Sequence, residues 1–292
     1  MRFSPLLAKS QGMNYRHAYH AGNFADVHKH AALALILEHL KRKDAPFAYM
    51  DSHAGIGAYD LASVQAEKTG EWQGGIAKVM AAANPPEELA PFLDVVHRLN
   101  PDGGLRHYPG SPMIAALLAR PADRLALCEL HPEDCAQLRA RFAADRRVGV
   151  HHRDGYDGVK ALLPPPERRG LVLIDPPFEV RDEFERMRKG LVQAMKRWPT
   201  GLYALWYPIK ARAAIDRFHA DLAMLGLPKT LAADIWIRGG DAPDRLNGCG
   251  LVLINPPWKL DEALGRLMPW LATTLGEADA SSRLDWIVAE KS

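Results

Sequence analysis

The clearest pattern in the chain is the apolar run Leu171-Val172-Leu173-Ile174, which has no polar alternation and ends on Asp175. Such a run suits a strand buried on both faces, as in a parallel sheet. Pro176 and Pro177 follow. Proline brings no N–H to a ladder, so the strand stops at the acid. Asp175 is therefore expected at the carboxyl end of a buried strand, with Phe178 beside it, at the edge where open α/β sheets hold ligands. Similar short runs predict strands over Phe47–Asp51, Leu125–Leu130, Val148–His152, Leu202–Tyr207 and Thr230–Ile237, with Leu251–Ile254 as the last strand. Helical spacing predicts helices over Val27–Leu40, Pro132–Ala144, Phe184–Lys196 and Ala211–Leu225. Asn23 or Asp26 is placed to cap the first of these. Strands alternating with helices predict an α/β fold with a mostly parallel, doubly wound, Rossmann-like sheet. The two late strands suit an antiparallel hairpin at one edge.

One stretch breaks the alternation. Tyr59 to about Tyr108 carries two short helical patterns, Gly74–Ala83 and Pro86–Leu99, punctuated by proline and glycine. It reads as a helical insertion after the first βα loop. Gly110-Ser111-Pro112 then opens a helix through Ala119, with Ser111 as N-cap and Pro112 at the first helical position. The chain divides on this reading into a leader (1–12), an N-terminal segment with the first strand (13–58), the insertion (59–108) and the remainder of the same domain (109–292). A chain of 292 residues can bury a core of that size. Its net charge of +2 is compatible with a nucleic-acid partner but does not demand one. Cys128, Cys135 and Cys249 are scattered, without C-x-x-C spacing. They read as reduced thiols of a cytoplasmic protein. No apolar run approaches the length of a membrane span, so no membrane partner is expected.

The candidate chemistry lies at strand ends. Asp51, Glu129, Asp154 and Asp175 each fall at or just after a predicted strand, and Gly55-Ile56-Gly57 follows the first. A G-x-G loop lets a cofactor approach the backbone. An acid ending the second strand can accept both hydroxyls of a ribose. Asp154 could accept from the exocyclic amine of adenine. No pyrophosphate-binding three-glycine fingerprint is present, which favours S-adenosylmethionine over NAD. At Asp175-Pro176-Pro177-Phe178, a carboxylate and the Pro176 carbonyl can accept the two N–H groups of a planar amine. The ring of Phe178 can stack on the base. The tetrad alone equally describes a strand closed by a Pro-Pro turn with a structural acid. Gly250 to Trp258 is a near copy ending Asn255-Pro256-Pro257-Trp258. In a sheet wound outward from the first strand, the fourth strand lies beside the first and the last strands lie far away. The near copy is therefore expected to be an edge-region strand with a packed Trp258. His17, His20, His28 and His30 have no ligand spacing that supports a metal. Lys29 is a sensible partner for a cofactor carboxylate.

The chain also resembles a family. Tyr15–Asn23 with Asp26–His30, Asp51–Gly57, Tyr108–Pro112, Glu129–Pro132, Asp154-Gly155, Leu173–Phe178, Tyr203–Pro208 and Ile254–Leu260 are similar to the bacterial ribosomal large-subunit RNA adenine-N6 methyltransferase J family. The resemblance covers essentially everything after Gly12. It implies a Rossmann-like enzyme that moves a methyl group from S-adenosylmethionine to N6 of one adenine in 23S rRNA. It implies that Lys29, His30, His53, Ser111, Glu129, Asp154, Gly155 and Asp175 contact the methyl donor or the catalytic centre, and that Tyr15 contacts the target nucleotide with His17 close by. Phe178 stands where the family more often has Tyr, and residues 1–12 are extra. A monomer without metal is expected. DNA adenine or a protein glutamine presents a similar planar amine, and a non-catalytic RNA-binding protein would not need the donor-site acids.

Overall fold

The computed structural model describes residues 16–240, 242 and 245–289. The predicted leader and Tyr15 lie outside the described residues. Helix α1 (Phe24–Lys41) precedes the first strand, β1 (Ala48–Asp51). Then come β2 (Ala58–Asp60), α2 (Val64–Thr69), α3 (Ile76–Ala81), α4 (Ala90–Leu99), β3 (His107–Pro109) and α5 (Ser111–Leu118). The alternating part follows: β4 (Arg124–Glu129), α6 (Pro132–Arg141), β5 (Val148–His152), α7 (Gly155–Leu162), β6 (Gly170–Ile174), α8 (Glu183–Arg197), β7 (Leu202–Ile209), α9 (Arg212–Met224) and β8 (Thr230–Trp236). The chain closes with β9 (Gly248–Ile254), α10 (Leu260–Leu275) and β10 (Ser281–Val288).

Eight strands form one sheet in the order β10-β8-β9-β7-β6-β1-β4-β5. The pairs β1–β4, β1–β6, β4–β5 and β6–β7 are parallel. Winding runs outward both ways from β1, so β1 and β6 meet at the switch point where such sheets open a crevice. The full burial of β6 follows from its continuous apolar run. Leu171 and Leu173 face one core layer, and Val172 and Ile174 face the other. Gly170, with φ 152°, lets β6 lie against β1, because a Cβ there would collide with the Ala48 carbonyl.

Several expectations are corrected. β2 and β3 pair antiparallel, Ala58 opposite Pro109, and enclose three helices rather than two. Gly110, not Ser111, caps α5; Ser111 is its first residue and its hydroxyl is used elsewhere. Leu251–Ile254 does not end the sheet, because α10 and β10 follow. β9 is not at an edge either. It runs antiparallel between β7 and β8, and β10 covers β8 at the rim. Trp258 is not packed but 74% exposed.

Candidate active site

The carboxyl ends of β1, β4 and β6 converge on one cavity of about 880 Å³. It is lined by Lys29, His30, His53, Ser111, Glu129, Asp154, Gly155, Asp175, Pro176, Pro177, Phe178 and His17. Every site residue expected from sequence is thus brought together, save Tyr15, which is not among the described residues.

The four strand-end acids have four different environments. Asp51 is sealed, accepting from Tyr49 Oη at 2.7 Å, Ser111 Oγ at 2.7 Å and its near neighbour His53 N–H at 3.2 Å. Burial pushes its carboxyl up to about 6. Glu129 accepts from the Gly55 N–H at 2.8 Å and the His131 N–H at 2.7 Å, so it clamps the first loop to the start of α6. Burial raises it too. Asp154 caps α7, accepting from Tyr156 N–H at 2.9 Å and Asp157 N–H at 3.2 Å. Gly155 beside it leaves no space for a side chain, since a Cβ would strike the Ser52 carbonyl. Asp175 receives Lys29 Nζ on Oδ2 at 2.5 Å, and its Oδ1 makes no hydrogen bond with a described residue.

Helix α1 supplies the opposite wall. Asn23 caps it through Asp26 N–H at 3.0 Å. Within its first two turns Asp26, His28, Lys29 and His30 are all buried. Lys29 bonds both Asp26, at 3.0 Å, and Asp175. Burial works against its charge, yet these two carboxylates hold the ammonium well above its ordinary value. His17 Nε2 meets Asp26 Oδ2 at 2.8 Å. His30 Nδ1 turns to Tyr108 Oη at 2.8 Å, and burial keeps the ring neutral. His53 pairs with Ser52 Oγ at 2.7 Å and is driven down to about 4 by burial.

Phe178 has φ 51°, a left-handed conformation that a non-glycine residue adopts only when its surroundings enforce it. Its ring packs edge-on against Phe184 at 5.0 Å and Trp206 at 6.0 Å. Trp206 also lies 5.8 Å from Lys29 Nζ. Sequence reasoning assigned Trp206 no role and gave Asp26 only a capping role. The i,i+3 spacing of Asp26 and Lys29 was the available signal. Arg186 was missed as well; it stacks on Tyr156 at 5.2 Å and lies 3.7 Å from Asp154.

The near copy lies elsewhere for a reason beyond distance. β9 runs antiparallel to β7, so Asn255 emerges at the opposite edge of the sheet from Asp175. There its amide donates to the Pro199 and Gly201 carbonyls, each at 2.9 Å. An aspartate could not donate to them. Among the described residues no group of three or more His, Cys, Asp or Glu could hold a metal.

The cavity fits a cationic donor better than a pyrophosphate. Asp26, Glu129, Asp154, Asp175 and Glu183 all line it. A doubly wound sheet that inserts an antiparallel strand after its parallel run, and leads β6 into Asp-Pro-Pro-Phe at the switch point, is the sheet of a Rossmann-like methyltransferase that uses S-adenosylmethionine. A family model described as "Ribosomal RNA large subunit methyltransferase D, RlmJ" matches residues 44–288. A protein of Escherichia coli (strain K12) named "Ribosomal RNA large subunit methyltransferase J" is 44% identical over 279 residues, covering 95% of this chain and all of the relative. Its namesake from Haemophilus influenzae is 43% identical over 280 residues, with the same coverage. A crystal structure of a Legionella pneumophila protein superposes with a TM-score of 0.85 at 34% identity, covering 91% of this chain and 98% of that one. The chain belongs to the ribosomal RNA large subunit methyltransferase J family.

Proposed function

We propose that this enzyme transfers a methyl group from S-adenosylmethionine to N6 of a specific adenine in 23S rRNA, in the cytoplasm, as a monomer and without a metal. The observation that carries this reading is Asp175, at the carboxyl end of β6 beside β1, which lines the donor-sized cavity and whose Oδ1 makes no hydrogen bond with a described residue. The bound cofactor supplies a methyl group made electrophilic by a sulfonium. The protein does the rest by positioning. Asp175 Oδ1 and the Pro176 carbonyl accept the two amine N–H groups, and Phe178 stacks on the base. The adenine leaves its stack to enter, at a cost of a few kcal/mol that is smaller if the RNA is already unpaired. Orientation then supplies most of the rate. Asp175 stabilises the positive charge that develops on nitrogen.

Cofactor contacts fall to Lys29, His30, His53, Ser111, Glu129, Asp154 and Gly155, with Tyr15 and His17 toward the RNA. The acid ring suits the donor's positive charge, and neutral His53 adds no repulsion. Lys210, Arg238 and Arg245 line the outer side of the same cavity, from the loops that follow β7 and join β8 to β9. Lys210 and Arg245 are exposed and form no ion pair with a described residue; Arg238 pairs with Glu277 at 3.2 Å. They are placed for phosphates flanking the target. No helix of the described residues is long and apolar enough to cross a membrane.

The test is methyl transfer from labelled S-adenosylmethionine to naked 23S rRNA, assembled large subunits, DNA and protein. Label confined to rRNA, recovered as N6-methyladenosine and unaffected by a chelator, is the expected result. Label on DNA adenine or protein glutamine would replace this reading, and RNA binding with neither donor binding nor transfer would leave only an RNA-binding protein.

A further inference from the structure

Asp26 is a buried acid that the mechanism above leaves without a task. It is 2% exposed and third in α1. Asn23 already provides the side-chain cap. The Asp26 carboxylate does something else. Its Oδ2 accepts from the Gly22 N–H at 2.9 Å and meets His17 Nε2 at 2.8 Å, while Oδ1 accepts from Lys29 Nζ at 3.0 Å. Lys29 Nζ reaches on to Asp175 Oδ2. The four side chains form one line from the N-terminal segment to the reactive acid, and all four line the cavity. Two carboxylates share one buried ammonium. Desolvating such a group is costly, so the arrangement is a poor device for stability alone.

Resting on the reading of Asp175 given above, we propose that Asp26 is a positioning residue: it keeps hold of the Lys29 ammonium while Asp175 turns to the substrate amine, and through His17 it ties that exchange to the N-terminal segment. An ammonium with a single carboxylate partner stays on it and competes with the incoming N–H groups. With a second partner it can release Asp175 and remain bonded. No covalent bond changes in this step; only hydrogen bonds are exchanged. Asp26 is also near enough to act electrostatically on His20, His30, Glu71, Tyr108 and Cys249. Asp175 faces Asp51, His53 and Tyr49. The variants below leave all of these in place.

Asp26→Asn removes the second charge, leaving Lys29 held by Asp175 alone, where it competes with the amine N–H groups. In the full-length enzyme acting on 23S rRNA, kcat is expected to fall by roughly tenfold or more. KM for the donor should stay within about twofold, so that the loss falls on kcat. In a Lys29→Met background the same substitution should have almost no further effect. An equal loss in both backgrounds, or a loss carried by the donor KM with kcat unchanged, would overturn the proposal. Asp26→Glu keeps the charge and is expected to retain kcat within about threefold; a loss as large as that of Asp26→Asn overturns it as well, and this variant serves if Asp26→Asn does not fold. Failure of the underlying reading looks different, because Asp175→Asn would then retain transfer.

Discussion

Asp51 and Asp175 end neighbouring strands, yet their surroundings give them opposite uses. Asp51 has two hydroxyl donors, no cation, and complete burial, which raises it to about 6. Its unfolded value is about 3.9. The native state therefore holds this proton more tightly than the unfolded chain does. Its contribution to stability is present below about pH 4 and is lost as pH rises through about 6, a change of about 3 kcal/mol. Asp51→Asn keeps an acceptor without the titration. Denaturant unfolding of the two proteins at pH 4 and pH 8 should show the wild type losing about that much relative to the variant; parallel behaviour would contradict the assignment. Asp175, by contrast, lines the cavity, and it gives one oxygen to Lys29 while the other makes no hydrogen bond with a described residue. Phe178 completes the tetrad by shape. Phe178→Tyr should keep kcat/KM on rRNA within about threefold, whereas Phe178→Ala should lose the stacking energy of roughly 1–3 kcal/mol, about five- to 150-fold.

At the scale of elements, the sequence was legible where one signal dominated. The strands β1, β4, β6 and β7 appear as apolar runs because both their faces are largely covered, β5 shows as a short run although it is an edge strand nowhere fully buried, and the Pro-Pro turn fixed where β6 ends. The strand-end acids came with them. The antiparallel pairing of the two late strands was legible, but their place in the sheet was not. β9 is as apolar as β6, since a central antiparallel strand buried on both faces carries the same pattern. α10 carries Pro269 within it, and β10 is nowhere fully buried, so neither gave a clean period. Ser111 satisfied the rule for a cap but its oxygen serves Asp51. The buried charges of α1 were hidden because the pattern of a helix does not say which polar residues face inward. Two substitutions test the elements. Asn255→Asp should cost about 1–3 kcal/mol in stability, by losing two donated bonds, with donor affinity unchanged. Gly155→Ala should weaken donor binding by roughly tenfold or more, measured by calorimetry, because the backbone of Ser52 leaves no room.

Over the whole molecule, one sheet edge separates two tasks. The β1–β4–β6 side holds the acids suited to a cationic donor, and the β7–β8 side presents Lys210, Arg238 and Arg245. Lys210→Glu with Arg245→Glu should weaken rRNA binding and reduce its salt slope by about one to two, while leaving donor affinity unchanged. Methyl transfer by this enzyme depends on Asp175 acting at the amine inside a donor site. The most direct measurement is single-turnover transfer of labelled methyl from S-adenosylmethionine to 23S rRNA by the wild type and Asp175→Asn, with donor binding measured alongside and the product digested to nucleosides. N6-methyladenosine from the wild type, and a rate lower by roughly a hundred- to a thousandfold from a variant that still binds the donor, is the expected result. A variant that transfers at the wild-type rate, or label recovered on another atom, would contradict it.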